Sequence, residues 1–429
     1  MKSLACCMLI LSITALAHAD DWPQWRGPQA DGVWRETGIV DALPDSALSP
    51  RWRAPIASGY SSPTVAEGRV YVMDRLSKPK QMERVHCFDA ESGEAVWSYK
   101  YARKYRDVGY AAGPRTSVVV HDGLAYALGA MGDLHVFNAA TGKIAWQRDL
   151  NAQYAIRMPV WGIAASPVIY DELLIVQIGG EGACLVAFDR RTGEERWRAL
   201  DDQASYSTPL IIEQAGRPVL VAWTGEQVVG LDPNSGKAHW QHAFPPQRGI
   251  ISVASPVIAG NRLLLTNFFD GALMLELMPD QLAATRTWYR FGASEQKTDG
   301  LHSTISTPLI SGDHIYGFDS YGEFRCLDAA TGDRLWEDQQ VVPRARWGTA
   351  HLTPQGNKVW IFNERGELLL TSLSPTGVTI HGRSQLIEPT RDQLNQRGGV
   401  TWSHPAFAQR HIFVRNDEEL ACFSLAARP

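Results

Sequence analysis

Basic and aromatic side chains recur in this 429-residue chain, each a few residues before a Ser/Thr-Pro pair or a related sequence. Arginine forks bind carboxylate, sulfate or phosphate groups, and flat tryptophan faces suit sugar rings or quinones. We therefore take these as candidate ligand-binding residues: Arg115, Arg157, Trp161, Arg248, His302, Arg346, Trp347, Arg397 and Trp402.

Sequence motifs for catalysis are missing. The chain has no His-Glu-x-x-His, Gly-x-Ser-x-Gly, phosphate-loop or Cys-x-x-Cys sequence. Acidic residues lie near the candidate arginines, but nothing in their spacing selects a base or a calcium ligand. They are Asp107, Asp201, Glu295 and Asp299. The sequence thus predicts no metal site and leaves any catalytic residue unknown.

An internal repeat identifies the elements that must position these side chains. A nine-residue sequence with Gly four residues before Trp occurs at 89–97, 138–146, 189–197, 232–240 and 328–336. Successive tryptophans, including the less regular Trp288, are 43 to 51 residues apart. A period of about 48 residues is typical of a propeller or solenoid.

Each unit begins with a recognisable start and continues as short alternating strands separated by Gly-containing turns. Eight starts are present: Ser62-Pro63, Ser117, Ser166-Pro167, Thr208-Pro209, Ser255-Pro256, Thr307-Pro308, Thr353-Pro354 and His404-Pro405. Four strands per unit, with no helical periodicity between them, favour the blades of a β-propeller.

The two ends of the repeat region complete one unit between them. The eighth unit stops after its third strand, whereas residues 49–54 form a Trp-bearing strand without a unit of its own. Pairing the two removes the open edge of the ring. We predict an all-β, eight-bladed propeller of four-stranded blades, closed by the N-terminal strand in the last blade.

This architecture places the candidate residues at one end of the central channel. Segments that precede the innermost strands border the channel mouth, so the candidates would form a ligand funnel there. The alternative is structural, with arginines that bond the backbone carbonyls closing the channel. The docking tryptophans, such as Trp146 and Trp240, and the scattered cysteines are instead expected to pack within the blades.

The N-terminal residues resemble an export signal. Lys2, an apolar run and Ala17-His18-Ala19 predict a signal peptide at 1–19, followed by a leader at 20–48 and the propeller at 49–429. Lys and Arg number 41 against 46 Asp and Glu, a balance that argues against nucleic-acid binding. No later apolar stretch is long enough to cross a bilayer. We expect an exported monomer, periplasmic or extracellular.

The nonamers and the leader carry a family resemblance. The nonamer resembles the tryptophan-docking motif of pyrroloquinoline-quinone (PQQ) type propeller repeats. The leader sequence Asp-Trp-Pro-Gln-Trp-Arg-Gly-Pro at 21–28 is similar to the opening of exported bacterial PQQ-binding-like propeller proteins. The resemblance covers residues 21–425 and is specific for the fold, whereas one fold hosts many activities.

Two branches with this repeat imply different functions. Quinoprotein alcohol dehydrogenases use PQQ, calcium, an Asp base and a vicinal disulfide, but this chain has no adjacent Cys pair after residue 19. The outer-membrane assembly lipoprotein has a lipobox, which is missing here. We expect a binding or scaffold protein without a cofactor, whose channel mouth holds a protein or a small anionic or carbohydrate-like ligand. A PQQ-dependent alcohol or sugar dehydrogenase with calcium is the alternative.

Overall fold

The computed structural model describes residues 20–44 and 47–427, so the predicted signal peptide lies outside the described residues. The described chain forms eight four-stranded antiparallel sheets and one short helix, α1 (Leu150–Tyr154). The sheets are the blades of an eight-bladed β-propeller, which confirms the predicted fold class. Only α1 was not anticipated; Asp149 caps it by accepting a hydrogen bond from the amide of Ala152.

Each complete blade runs from the channel outwards in chain order, and we number the blades along the chain. The chain begins with β1 (Pro50–Pro55), and blade 1 then contains β2 (Thr64–Ala66), β3 (Arg69–Leu76), β4 (Met82–Asp89) and β5 (Ala95–Ala102). Blade 2 contains β6 (Val119–His121), β7 (Leu124–Leu128), β8 (Asp133–Asn138) and β9 (Ile144–Asp149). Blade 3 contains β10 (Val168–Tyr170), β11 (Leu173–Gly180), β12 (Ala183–Asp189) and β13 (Glu195–Ala199). Blade 4 contains β14 (Leu210–Gln214), β15 (Arg217–Trp223), β16 (Gln227–Leu231) and β17 (Ala238–Ala243).

The second half of the ring follows the same order. Blade 5 contains β18 (Val257–Ala259), β19 (Arg262–Asn267), β20 (Gly271–Leu277) and β21 (Ala284–Arg290). Blade 6 contains β22 (Leu309–Ser311), β23 (His314–Phe318), β24 (Phe324–Asp328) and β25 (Arg334–Asp338). Blade 7 contains β26 (Ala350–Gln355), β27 (Lys358–Asn363), β28 (Glu367–Ser374) and β29 (Gly377–Gln385). Blade 8 contains β30 (Ala406–Ala408), β31 (His411–Arg415), β32 (Glu419–Ser424) and β1.

The last blade closes the ring as predicted. Strand β1 pairs antiparallel with β32, and Trp52 lies opposite Cys422 in the register. The Trp52 indole then donates to the carbonyl of Ala90 in blade 1, at 2.9 Å. The same side chain therefore links the split blade to its neighbour.

Docking tryptophans join most of the blades to the next one. Trp146 donates to the carbonyl of Arg190 at 3.1 Å, and a Cβ at Gly193 would lie 2.6 Å from the Trp146 ring. Gly193 has φ +72, so this nonamer position needs both a left-handed backbone and the absence of a side chain. Equivalent bonds join Trp97 to Ala139, Trp197 to Pro233, Trp288 to Ala329 and Trp336 to Ser374. The constant spacing of Gly and Trp in the five nonamers of this chain thus serves contacts between blades.

The cysteines of the described chain are free and buried in the blades. Cys87, Cys326 and Cys422 occupy the third strand of blades 1, 6 and 8, and Cys184 lies in β12. They behave as small apolar core residues, as expected from their positions in the repeat.

The described residues of the leader pack into the propeller instead of standing apart from it. Trp22 exchanges two backbone hydrogen bonds with Val65 of blade 1, and Pro23 accepts one from Val120 of blade 2. Further along the leader, the backbone amide of Trp34 donates to the carbonyl of Pro354 in blade 7. Trp22 and Trp34 are buried. The leader therefore bonds to the inner strands of blades 1, 2 and 7.

Helices of the described chain offer no membrane-spanning candidate: none has the length and apolarity that crossing a bilayer requires.

Candidate functional site

The central channel contains a cavity that opens to solvent. The loops that run from the outer strand of one blade to the inner strand of the next form its mouth. Its lining consists of Trp25, Tyr60, Ser62, Tyr110, Arg115, Trp161, Ala164, Ser166, Tyr206, Thr208, Val253, Thr304, Ile305, Trp347, His351, Trp402 and His404. We call this space the channel cavity.

A belt of hydroxyl groups connects neighbouring blades at the level of the unit starts. The amide of Ser117 donates to Ser166 Oγ, and the amide of Ser166 donates to Thr208 Oγ1, both at 3.0 Å. Across the ring, the amide of Ser255 donates to Thr307 Oγ1 at 3.1 Å. Ser166, Thr208 and Thr307 thus each accept a hydrogen bond from the preceding blade, which accounts for a hydroxyl residue at these three starts.

The leader closes the end of the cavity opposite the mouth. Trp25 Nε1 donates to Ser255 Oγ of blade 5 at 2.9 Å, and its ring meets His404 edge-on, with centroids 5.3 Å apart. Trp25 is therefore the floor of the channel cavity.

Two buried histidines lie beside this floor. Nε2 of His351 donates to the carbonyl of Trp402 at 2.9 Å, and Nδ1 of His404 donates to the carbonyl of Pro405 at 2.6 Å. Burial lowers the pKa of His351 to about 4, and burial together with His351 lowers the pKa of His404 well below its usual value. Both imidazoles are neutral at pH 7, and each keeps one ring nitrogen as an acceptor.

Aromatic rings form the walls between the floor and the mouth. Trp161 packs on Tyr206 with centroids 5.0 Å apart, while Tyr110 meets Trp161 and Trp347 edge-on at 5.9 and 5.7 Å. Interlocked edge-to-face rings hold one another in fixed orientations. The walls therefore offer a preformed apolar surface.

Four of the nine candidate residues line this cavity, namely Arg115, Trp161, Trp347 and Trp402. The Arg115 guanidinium donates to the carbonyls of Gly109, Tyr110 and Gly113 at 2.6 to 3.0 Å. It also lies 4.8 Å from the centroid of the Tyr60 ring. Backbone carbonyls thus occupy this side chain, in the arrangement that the structural alternative described.

Three more candidates are exposed around the mouth. Arg157 pairs with Asp201 at 3.2 Å. Arg248 and Arg346 both approach Glu295, at 3.4 and 3.7 Å. We call the exposed residues Arg157, Val160, Arg248 and Arg346 the rim.

The last two candidates, the buried His302 and the partly exposed Arg397, do not line the cavity. Nδ1 of His302 donates to the carbonyl of Phe268 at 3.0 Å, and its Nε2 accepts from the amide of Gly292 at 3.2 Å. Arg397 forms a two-pronged contact with the buried carboxylate of Glu364, which also accepts from Trp402 Nε1 at 3.2 Å. His302 and Arg397 therefore support the loops that carry the walls.

Sequence reasoning missed several residues that define the cavity, above all Trp25, Tyr60, Tyr206, His351 and His404. His404 occupies the start position of the eighth unit, where a Ser or Thr is usual, and that replacement was a usable signal. Trp25 belongs to the leader, whose path no repeat determines. His351 lies at the beginning of β26, within an apolar strand context that hides it.

Comparison with known proteins agrees with this architecture. A family model described as "Outer membrane protein assembly factor BamB" matches residues 81–288 and 295–428. The chain belongs to this family. The predicted PQQ-like propeller repeat is thereby confirmed.

Relatives from two functional groups share part of the sequence. The outer membrane protein assembly factor BamB of Shewanella oneidensis is 23% identical over 68% of this chain and 71% of its own. The 1-butanol dehydrogenase (quinone) of Thauera butanivorans is 26% identical, but over only 34% of this chain and 24% of its own. Among solved structures, BamB from Moraxella catarrhalis superposes with a TM-score of 0.60 at 14% identity, over 88% of this chain and 99% of that one. This structural likeness shows the shared fold.

The donor set of the cavity does not fit a calcium-bound quinone. Calcium prefers several carboxylate and carbonyl oxygens. Among the described residues, no Asp or Glu side chain lines the cavity, and no group of three His, Cys, Asp or Glu side chains could hold a metal ion. Arg115, the single charged lining residue, is already bonded to carbonyls.

Proposed function

We propose that this protein is an exported partner-binding propeller that serves in outer-membrane protein assembly and holds a protein partner at its rim. Membership of the BamB family supports the assembly role. The main evidence for the location of the partner site is Val160, an apolar rim side chain that is 68% exposed and directly precedes the wall residue Trp161.

The charge of the rim is matched to an acidic partner segment. One carboxylate, Glu295, lies 3.4 Å from Arg248 and 3.7 Å from Arg346. These distances are at and beyond the limit of an ordinary hydrogen bond, respectively. Both arginines also lie over aromatic rings, Arg248 at 5.2 Å from Phe269 and Arg346 at 4.7 Å from Trp347. Arginine and aromatic residues are the types that contribute most at protein interfaces.

Site-specific crosslinking in cells tests the rim. A photoreactive amino acid replaces Val160 in one variant and Leu335 in a control; Leu335 is 46% exposed on β25, the outer strand of blade 6. We expect position 160 to crosslink to an outer-membrane protein or an assembly component identified by mass spectrometry, and position 335 not to do so. Equal crosslinking at both positions, or none at 160, would contradict the proposal.

The charge contribution is measured in the same assay. The double change Arg248→Ala with Arg346→Ala should leave the melting temperature nearly unchanged, since exposed ion pairs contribute little to stability. It should reduce the crosslink at position 160 several-fold. An unchanged crosslink would assign the partner to another surface.

A reconstitution experiment examines the dehydrogenase alternative. The protein is mixed with PQQ and calcium and assayed for cofactor absorbance and for reduction of an artificial electron acceptor with alcohols or aldose sugars. We expect neither signal. Dye reduction above the protein-free control would favour the enzyme and overturn the scaffold proposal.

A further inference from the structure

The floor of the channel cavity carries hydrogen-bonding capacity that the protein does not use. His351 and His404 line the cavity and are only 3% and 5% exposed. Among the described residues, neither Nδ1 of His351 nor Nε2 of His404 has a hydrogen-bond partner, although the other nitrogen of each ring is bound to a carbonyl. Both residues line the cavity, so a molecule bound there can donate to these two nitrogens.

The positions of the two rings make them a pair. Their centroids are 4.8 Å apart, and both carbonyl bonds hold the rings in fixed orientations. Because the bound nitrogens donate, the open ones can only accept. A molecule that satisfies both must present two O–H or N–H donors close together.

The rest of the cavity excludes most other ligand chemistries. A cationic ligand would find no carboxylate among the described lining residues. Three of the five N–H groups of Arg115 already donate to backbone carbonyls, which leaves only part of its donor capacity for an anionic ligand. Above the histidines, Trp161, Tyr206 and Trp347 offer ring faces and edges for an apolar surface of the ligand. Beside them, Ser166 and Thr208 accept amide hydrogens within the belt and retain hydroxyl protons to donate.

We propose that the channel cavity binds a neutral saccharide, with two adjacent hydroxyl groups donating to Nδ1 of His351 and Nε2 of His404 and a pyranose face against the aromatic walls. A pyranose combines C–H faces with closely spaced hydroxyl groups, as this lining requires. The site lies below the rim and goes beyond the proposed function, since partner binding at Val160 does not depend on it.

Two substitutions remove one acceptor each and keep the structural bond. His351→Gln places an amide nitrogen near the position of Nε2, so that it can still donate to Trp402, but it lacks Nδ1. His404→Asn places its amide nitrogen near the position of Nδ1, so that it can donate to Pro405, but it lacks Nε2. The control is His135→Gln, because His135 is also buried with an unpaired Nδ1 but lies between blades 1 and 2, outside the cavity lining.

Binding is measured by tryptophan fluorescence and by saturation-transfer NMR on the full chain in the presence of EDTA. The probes are glucose, galactose, mannose, N-acetylglucosamine and their neutral disaccharides, with glucuronate as the charged counterpart. We expect at least one neutral probe to bind, glucuronate to bind more weakly, and each acceptor variant to lose about tenfold in affinity, the equivalent of one hydrogen bond. His135→Gln should bind like the wild type.

Three outcomes would overturn the proposal. One is that no neutral probe binds. Another is that His351→Gln and His404→Asn bind sugar as well as the His135→Gln control does, at unchanged melting temperature. The third is that zinc, added without EDTA, quenches the fluorescence through the same two histidines while sugars do not, which would make the pair a metal site. The crosslink at position 160 reports on the rim separately, so failure of one proposal leaves the other standing.

Discussion

Single residues in this propeller are selected by contacts with the next blade. The nonamer glycine is the clearest case, because its backbone is left-handed and its α-carbon lies against the tryptophan of the preceding blade. The glycine of the nonamer, which the sequence suggests as a turn residue, is therefore also required for the packing of neighbouring blades.

Two glycine substitutions separate these requirements. Gly216 has φ +69 and no neighbouring atom within reach of a Cβ, so Gly216→Ala should cost only the backbone strain, about 1 to 2 kcal/mol. Gly193→Ala adds a clash with Trp146 and should cost about 2 kcal/mol more. Urea denaturation measures the difference, and equal losses would contradict the packing role.

Buried histidines make stability depend on pH. The pKa of His351 is lowered to about 4 in the folded protein, against about 6.5 in the unfolded chain. The unfolded state therefore takes up a proton first, so stability is fully present above pH 6.5 and is lost as the pH falls towards 4.

His351→Gln should flatten this dependence. The wild type should lose about 2 kcal/mol from this group between pH 7 and pH 5, and the variant should be spared that loss. Chemical denaturation at the two pH values gives the comparison. Parallel curves for the two proteins would show that His351 does not titrate in this range.

At the scale of elements, blade 4 is joined to blade 5 through a glutamine, whereas the other docking tryptophans bond directly to the next blade. Blade 5 lacks the nonamer, and the indole of Trp240 donates to Gln214 Oε1 in its own blade at 2.9 Å. The Gln214 amide nitrogen in turn approaches the carbonyls of Met278, Gln281 and Ala283 in blade 5, at 2.7 to 3.3 Å. One glutamine thus replaces the missing turn.

Removing that glutamine should weaken the junction between the two blades. Gln214→Ala leaves the buried indole N–H and a buried carbonyl unpaired and should cost about 3 kcal/mol. Gln241→Ala, at an exposed position of β17, is the control and should change stability by less than about 0.5 kcal/mol. Similar melting temperatures for both variants would rule out the bridging role.

Elements were more predictable from the sequence than the site. The Gly and Trp of each nonamer form contacts one unit apart, so the repeat itself encodes the packing of neighbouring blades. The ring of blades could therefore be predicted from the sequence. The cavity depends on contacts of no fixed spacing, such as Trp25 on Ser255 and His404, which lie far apart in the chain. Arginines could be placed near the mouth, but their partners, Glu364 for Arg397 and backbone carbonyls for Arg115, depend on loop conformations that no periodicity encodes.

At the scale of the whole molecule, blade 8 makes the ring depend on both ends of the chain. Arg415 of β31 is fully buried and donates to the carbonyls of Met73 and Ala57, at 2.8 and 2.6 Å. Burial lowers its pKa to about 10, so it remains charged at neutral pH. These bonds and the β1 to β32 pairing hold the last blade against the first.

Deleting residues 404–429 should therefore abolish cooperative unfolding, since it removes three strands and leaves β1 without a partner. Co-expression of the missing segment as a separate chain tests whether the loss is one of pairing, and should restore a single thermal transition. A truncated protein that melts like the full chain would contradict the closure.

The pairing of β1 with β32 also determines when this protein can finish folding. The two strands are separated by almost the entire chain, so the blades between them can form one after another while β1 remains unpaired. Contacts of such sequence separation form slowly, because the loop that they close is the whole propeller. Until β32 has formed, the unpaired edge of β1 can pair with incorrect strands. The pairing of β1 with β32 is therefore both the last step of folding and the step that protects this edge.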